Sequence, residues 1–221
     1  MTYDLLSVYP AKALEYLLGA GYLVLFVFFW RYVQGGAKAR ARAAARTPVP
    51  TGWFGLPAGV HLHPGHTWAR VEPDGLVTVG MDDFATKLVG PLPVELPPVG
   101  ASVLQGEAAF AVTDGARRAS LAAPVDGTVV AVNTAPPAPD DPYGAGWLFR
   151  VKPPRLAANL RQLLTGSAAH RLLEDVSEGL ARRMNPELGL VLQDGGAPIT
   201  GIARTIAGDD WDALAREYFL S

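Results

Sequence analysis

Three of the four histidines stand close together, in His61-Leu62-His63-Pro64-Gly65-His66. Three imidazoles can bind zinc or copper, and residues two apart on an extended chain project to the same side. Pro64-Gly65 interrupts that arrangement with a turn, and no neighbouring carboxylate or cysteine completes a ligand set. Hydrogen-bonded or solvent-facing histidines are the plainer reading, so no metal is expected, with His61, His63 and His66 as the candidates. Arg117-Arg118 is a basic pair suited to clamping an acidic partner; the alternative is a pair of solvated side chains. Ser120 has no histidine or acid nearby to activate it. Asp82-Asp83 and Asp140-Asp141 read as turn and capping residues. The Asp194-Gly195-Gly196 stretch lacks the lysine and helix of a phosphate-cradling loop. The chain has no cysteine, which removes thiolate metal sites and thiol nucleophiles. Nothing forms a catalytic set, and an enzyme is not expected.

These residues must be positioned by short elements. The 221 residues include 19 prolines and 24 glycines, a composition that favours short strands joined by turns. Alternating apolar runs flank Pro73-Asp74-Gly75 and recur through residues 94–133 and 146–153. Three- and four-residue apolar spacing over 154–183 predicts helices, with Ser167 as a cap and Asn185-Pro186 as a stop. A hairpin is expected around Gly195-Gly196. A last helix is expected after Asp209 or Asp210, with Trp211, Leu214 and Tyr218 on one face.

The N-terminal part has a different texture. Residues 16–30 are uncharged and almost wholly apolar. Extended to 14–33, the run reaches the ~20 residues that span a bilayer as a helix, with Tyr16, Trp30 and Tyr32 at the aromatic-belt positions. Arg31, Lys38, Arg40, Arg42 and Arg46 follow the run, whereas a cleaved signal peptide has its basic cluster in front. The positive-inside rule then places the C-terminal side in the cytoplasm. Residues 1–46 carry a net +4 and residues 47–221 a net −6, so the mildly acidic globular part is not expected to bind nucleic acid. The expected organisation is a short extracytoplasmic N-terminus (1–13), a transmembrane helix (14–33), a basic linker (34–52), a mainly β domain (53–164) and a helical and hairpin extension (165–221). That is a single-pass inner or plasma membrane protein with a cytoplasmic domain, meeting lipid through residues 14–33.

Four segments of the β region, in order, resemble the H-protein of the glycine cleavage system. They are HTWARVEPDGLVTVGMDDFA (66–85), VELPPVGASV (94–103), APVDGTVVAVN (123–133) and DPYGAGWLFRVKP (141–153). LRQLLTGSAAHRLLED is similar to that family's closing helix. The resemblance implies a barrel-sandwich hybrid of the lipoyl-domain type with C-terminal helices. It also implies a carrier role, in which lipoate on a hairpin-tip lysine shuttles an aminomethyl group between partner enzymes. Here Thr113, Asp114, Gly115, Ala116 and Arg117 fall on the family's Glu-Ser-Val-Lys-Ala, so Ala116 occupies the lipoyl-lysine position. Amide formation with lipoate needs a primary amine, and the guanidinium of Arg117 is too basic to replace it. The only lysines are Lys12, Lys38, Lys87 and Lys152, so none lies between 88 and 151. The expected protein is a membrane-anchored, non-lipoylated H-protein-like binding or scaffold subunit without cofactor. Its partners would be proteins, among them other membrane-complex subunits, with Arg117 and Arg118 as contact candidates. The alternative is a working carrier in glycine decarboxylation lipoylated at an atypical lysine, Lys87, expected to face solvent.

Overall fold

The computed structural model describes residues 14, 16–31, 49–115, 117–135, 138–183, 200–201, 203 and 211–219. The chain divides into two compact units, residues 1–45 and 46–221. In the first, residues 16–31 form a helix, α1, and every described side chain on it is exposed. Among the described residues no helix is long and apolar enough to cross a membrane. Glu15, Tyr32 and Val33, which complete the 14–33 run, lie outside the described residues, as do Lys12, Lys38, Arg40, Arg42 and Arg46.

The second unit is mainly β. Its strands are β1 (Val49–Thr51), β2 (Phe54–Leu56), β3 (His61–Leu62), β4 (Thr67–Val71), β5 (Val77–Met81), β6 (Val94–Glu95), β7 (Ser102–Val103), β8 (Ala108–Asp114), β9 (Arg117–Ala122), β10 (Gly127–Val132) and β11 (Trp147–Lys152). Strands β1 and β2 pair as a small hairpin, and the remaining strands form a six-stranded sheet, β3-β4-β5-β11-β10-β7, and a three-stranded sheet, β6-β8-β9. Strand β1 begins at Val49, inside the stretch read as linker.

Local chemistry sets these pairings. At the β4–β5 turn, the Asp74 carboxylate accepts from the Leu76 N–H at 3.0 Å, and Gly75 takes a positive φ of 82° that side chains avoid. Trp68 lies opposite Gly80 in the ladder and folds its indole over the bare glycine. The two large sheets share one core. Phe110 of β8 meets Phe149 of β11 edge to face, with ring centroids 5.8 Å apart.

Among the described residues, the sheets are accompanied by the helices α2 (Asp83–Val89), α3 (Leu156–Leu160), α4 (Gly166–Arg183) and α5 (Trp211–Phe219). Helix α4 starts at Gly166, so Ser167 lies in its first turn rather than ahead of it. Asn185, Pro186, residues 188–199, Asp209 and Asp210 lie outside the described residues. Helix α5 buries Trp211, Leu214 and Tyr218, the face expected from their spacing, and it packs against β9.

Candidate functional site

The hairpin β8–β9 is the longest ladder of the smaller sheet. Its last cross-strand pairs are Thr113 with Arg118 and Asp114 with Arg117. A two-residue connection follows, in which Gly115 has φ 63°. Short hairpin loops need such left-handed residues because their twist must match that of the strands. Ala116, the second loop residue, lies outside the described residues. Thr113 N–H donates to the Pro93 carbonyl at 3.0 Å, which ties the arm to β6. The Arg118 guanidinium stands 3.1 Å from the Glu95 carboxylate, both side chains being more than half exposed. Such a pair stabilises little but orients Arg118 along the face of the sheet. Opposite charges also meet at the Asp114–Arg117 rung. The described residues of the arm contain no amine that could form an amide with lipoate, so this hairpin does not fit that group.

Lys87 is held differently from the expectation. It lies on α2, and its Nζ is 2.9 Å from Asp83 Oδ2 and 3.4 Å from the Trp53 carbonyl. The ammonium also lies 5.7 Å from the centre of the Phe54 ring. The side chain is 26% exposed, so it is a pinned ion-pair partner rather than a solvent-facing arm. Its i,i+4 geometry puts Asp83 one turn below it.

The three histidines go three ways. His66 is buried, has φ 61°, and its Nδ1 lies 2.7 Å from Asp82 Oδ2. His63 Nδ1 accepts from the Gly65 N–H at 3.1 Å. His61 Nδ1 is buried without a partner, and the residue lines a groove of about 470 Å³ with Leu56, Val60, Thr165 and His170. Burial lowers the pKa of His61. Burial, then the nearby His66, lowers that of His63. Among the described residues no group of three or more metal-ligating side chains is placed to hold an ion.

His66 and Asp82 have the residue types of a catalytic relay, but their side chains are only 2% and 0% exposed. They belong to a polar knot at the start of α2. Asp82 caps the helix through Oδ1, accepting from the Ala85 N–H at 2.8 Å. The Tyr143 hydroxyl donates to the Gly55 carbonyl at 2.9 Å and accepts from the Asp83 N–H at 3.2 Å. Asp83 in turn accepts from the Gly55 N–H at 2.7 Å. Burial, then the charge of Asp82, pushes the phenol well above its ordinary pKa. The knot is sealed from substrate and acts as a clamp. Tyr143 has no partner legible from spacing, and its only sequence signal is its place in the Asp-Pro-Tyr-Gly motif.

With this geometry in hand, comparison with known proteins shows what the chain is similar to. Residues 61–176 match the family described as Glycine cleavage H-protein. A glycine cleavage system H protein of Neisseria meningitidis serogroup A is 43% identical over 108 residues, 46% of this chain and 84% of that protein. One from Escherichia coli O45:K1 is 39% identical over 127 residues, 54% of this chain and 97% of that protein. Among solved structures, a glycine cleavage system H protein from Mycobacterium marinum is 37% identical, covers 51% of this chain and 94% of its own, and aligns with a TM-score of 0.43.

Proposed function

Because this chain belongs to the glycine cleavage H-protein family, we propose that it is a member that keeps the fold and the hairpin but works by binding proteins, without lipoate. The observation that carries this reading is the absence of any lysine between residues 88 and 151. The arm that would bear the group ends in Gly115, Ala116 and Arg117. Lys87 offers no substitute, because it lies on helix α2 with its amine held between Asp83 and the Trp53 carbonyl and not at a hairpin tip. The chain is neither a carrier nor a catalyst; its hairpin is a docking arm.

The proposal includes a membrane anchor. Helix α1 is apolar on all sides and presents every described side chain outward. An all-round apolar helix needs an apolar surrounding. The 14–33 run would supply it by crossing the bilayer, with the basic cluster that follows held on the cytoplasmic side. The domain would then serve as a binding or scaffold subunit among membrane-complex proteins.

Intact mass after co-expression with a lipoate ligase and added lipoate tests the first half. The wild-type chain is expected at its unmodified mass, while Ala116→Lys, which restores the amine, gains one lipoyl group. A lipoyl adduct on the wild-type chain would sink the proposal and point to Lys87.

A further inference from the structure

The outward face of the six-stranded sheet carries a polar row that neither the core nor the hairpin uses. Ser102 of β7 lies opposite Thr128 of β10, and Thr128 lies opposite Lys152 of β11. Directly opposed residues stand on the same side of a sheet, so two hydroxyls and an ammonium line up across three strands. All three side chains are exposed, while their neighbours Val103, Val129 and Val151 turn into the core. Arg150, two residues before Lys152, shares the face. Its guanidinium stands 5.1 Å over the centre of the Trp147 ring, which holds it in place. Beside the row runs a groove of about 350 Å³ with an apolar wall of Leu104, Pro153 and Pro154. Asp126 and Arg155 also line it but neutralise each other, with Arg155 Nη2 2.8 Å from Asp126 Oδ2.

Charge decides what this face would take. Residues 47–221 carry a net −6, and Arg70, Lys87, Arg118, Arg155 and Arg183 each stand against a carboxylate. Among the described residues no carboxylate forms an ion pair with Arg150 or Lys152. Glu72 feels the charge of Arg150, but it is already held by Arg70 at 3.1 Å and by the Thr78 hydroxyl at 3.0 Å. The Arg150 Nε–H is buried without an acceptor. Two such cations at alternate positions of β11 lie roughly 6.6 Å apart along the strand. An extended chain presents its own alternate side chains at that spacing.

We propose that this face binds an extended acidic segment of a partner protein. Carboxylates at alternate positions of the segment meet Arg150 and Lys152, and the Ser102 and Thr128 hydroxyls donate to the same segment. The groove takes the next side chain on that face, an apolar one, against Leu104, Pro153 and Pro154. This rests on the reading of the chain as a binding subunit, and it adds to the hairpin a second contact surface with a partner of stated chemistry.

The test uses the full-length chain in detergent and a fluorescein-labelled peptide, Gly-Glu-Thr-Glu-Thr-Leu-Gly, with a control in which Gln replaces both Glu residues. The acidic peptide is expected to bind and the control not to. Arg150→Gln/Lys152→Gln should weaken binding roughly tenfold, the combined size of two partly exposed ion pairs. Arg171→Gln, which removes an exposed charge from α4, and Arg117→Gln/Arg118→Gln on the hairpin should leave it unchanged. A carbodiimide joins an amine to a carboxylate in direct contact, so it should link the peptide to Lys152, one of four lysines in the chain, as read by mass spectrometry. Equal binding of the two peptides, an equal loss in the α4 or hairpin variants, or linkage to other lysines but not to Lys152 overturns the proposal. A phosphoserine peptide that binds where the glutamate peptide does not would assign the face to phosphate and overturns it too. If the double variant unfolds, Lys152→Gln alone, at an exposed position, carries the comparison, and unchanged binding there is equally fatal. Peptide binding reports on this face alone, whereas a lipoyl adduct bears on the binding-subunit reading alone, so the two fail separately.

Discussion

At Tyr143 one phenol ties together segments far apart in the chain. Its hydroxyl spans Gly55 and the Asp83 N–H, and its carbonyl accepts from Arg70 at 2.7 Å. Removing the hydroxyl alone leaves a buried carbonyl and a buried N–H short of a partner. Tyr143→Phe is therefore expected to cost about 1–3 kcal/mol, read as a lower urea midpoint at unchanged slope. An unchanged midpoint would mean that the knot is not a clamp. The histidines make a prediction in pH. His61 and His63 titrate below their ordinary value in the fold because burial penalises the charged form. A depressed folded pKa contributes stability that is full above the unfolded value of ~6.5 and is lost as pH falls through the lower folded value. The melting temperature should accordingly drop between neutral pH and mildly acidic pH, and His63→Gln should shrink that drop. Ring-proton titration that puts the His63 midpoint at or above 6.5 would refute the assignment.

At the scale of elements, much was legible because turn chemistry and side-chain period are local. Pro73-Asp74-Gly75 marked the β4–β5 hairpin. The apolar spacing of Trp211, Leu214 and Tyr218 marked a helix and its buried face. What was not legible depends on contacts between distant residues. Lys87 reads as a surface lysine until Asp83 and the Trp53 carbonyl are placed around its amine. His66 reads as a possible ligand until Asp82, 16 residues later, takes its Nδ1. Gly80 is another such case: in the sequence it is a weak strand residue, and only the fold shows Trp68 packed over it. A Cβ at Gly80 would stand 2.7 Å from the indole ring. That ring cannot retreat, because it is fully buried and its Nε1 donates to the Met81 carbonyl at 2.8 Å. Gly80→Ala should destabilise by about 1–3 kcal/mol, the usual cost of overpacking a filled core. Calorimetry would check this; a variant as stable as wild type would mean that the β4–β5 pair yields more readily than its hydrogen bonds suggest.

For the whole molecule, the question is what an H-protein-like domain gains from α1. A carrier must diffuse between enzymes, and tethering it would restrict that traffic. A binding subunit gains from tethering, because confinement raises its effective concentration near membrane partners. A hairpin without lysine and an apolar N-terminal run are thus two sides of one proposal. The described helix, residues 16–31, is about 24 Å long at 1.5 Å per residue, short of the ~30 Å hydrocarbon core. Crossing therefore requires the flanking residues to 14 and 33 to continue the helix. The proposal predicts that the full chain stays with membranes after alkaline carbonate washing and that deleting residues 14–33 releases a folded domain. Leu23→Lys, at the centre of the run, should weaken insertion, since a mid-span lysine costs roughly 2.5–3.5 kcal/mol on insertion scales. Protease added outside intact cells should leave the domain uncut, as the basic cluster after the run dictates. If the full chain washes off with alkali, α1 is instead a protein-binding helix. Its exposed Tyr22, Phe26 and Trp30, whose rings stack successively at 6.4 and 6.0 Å, would then be the contact to map.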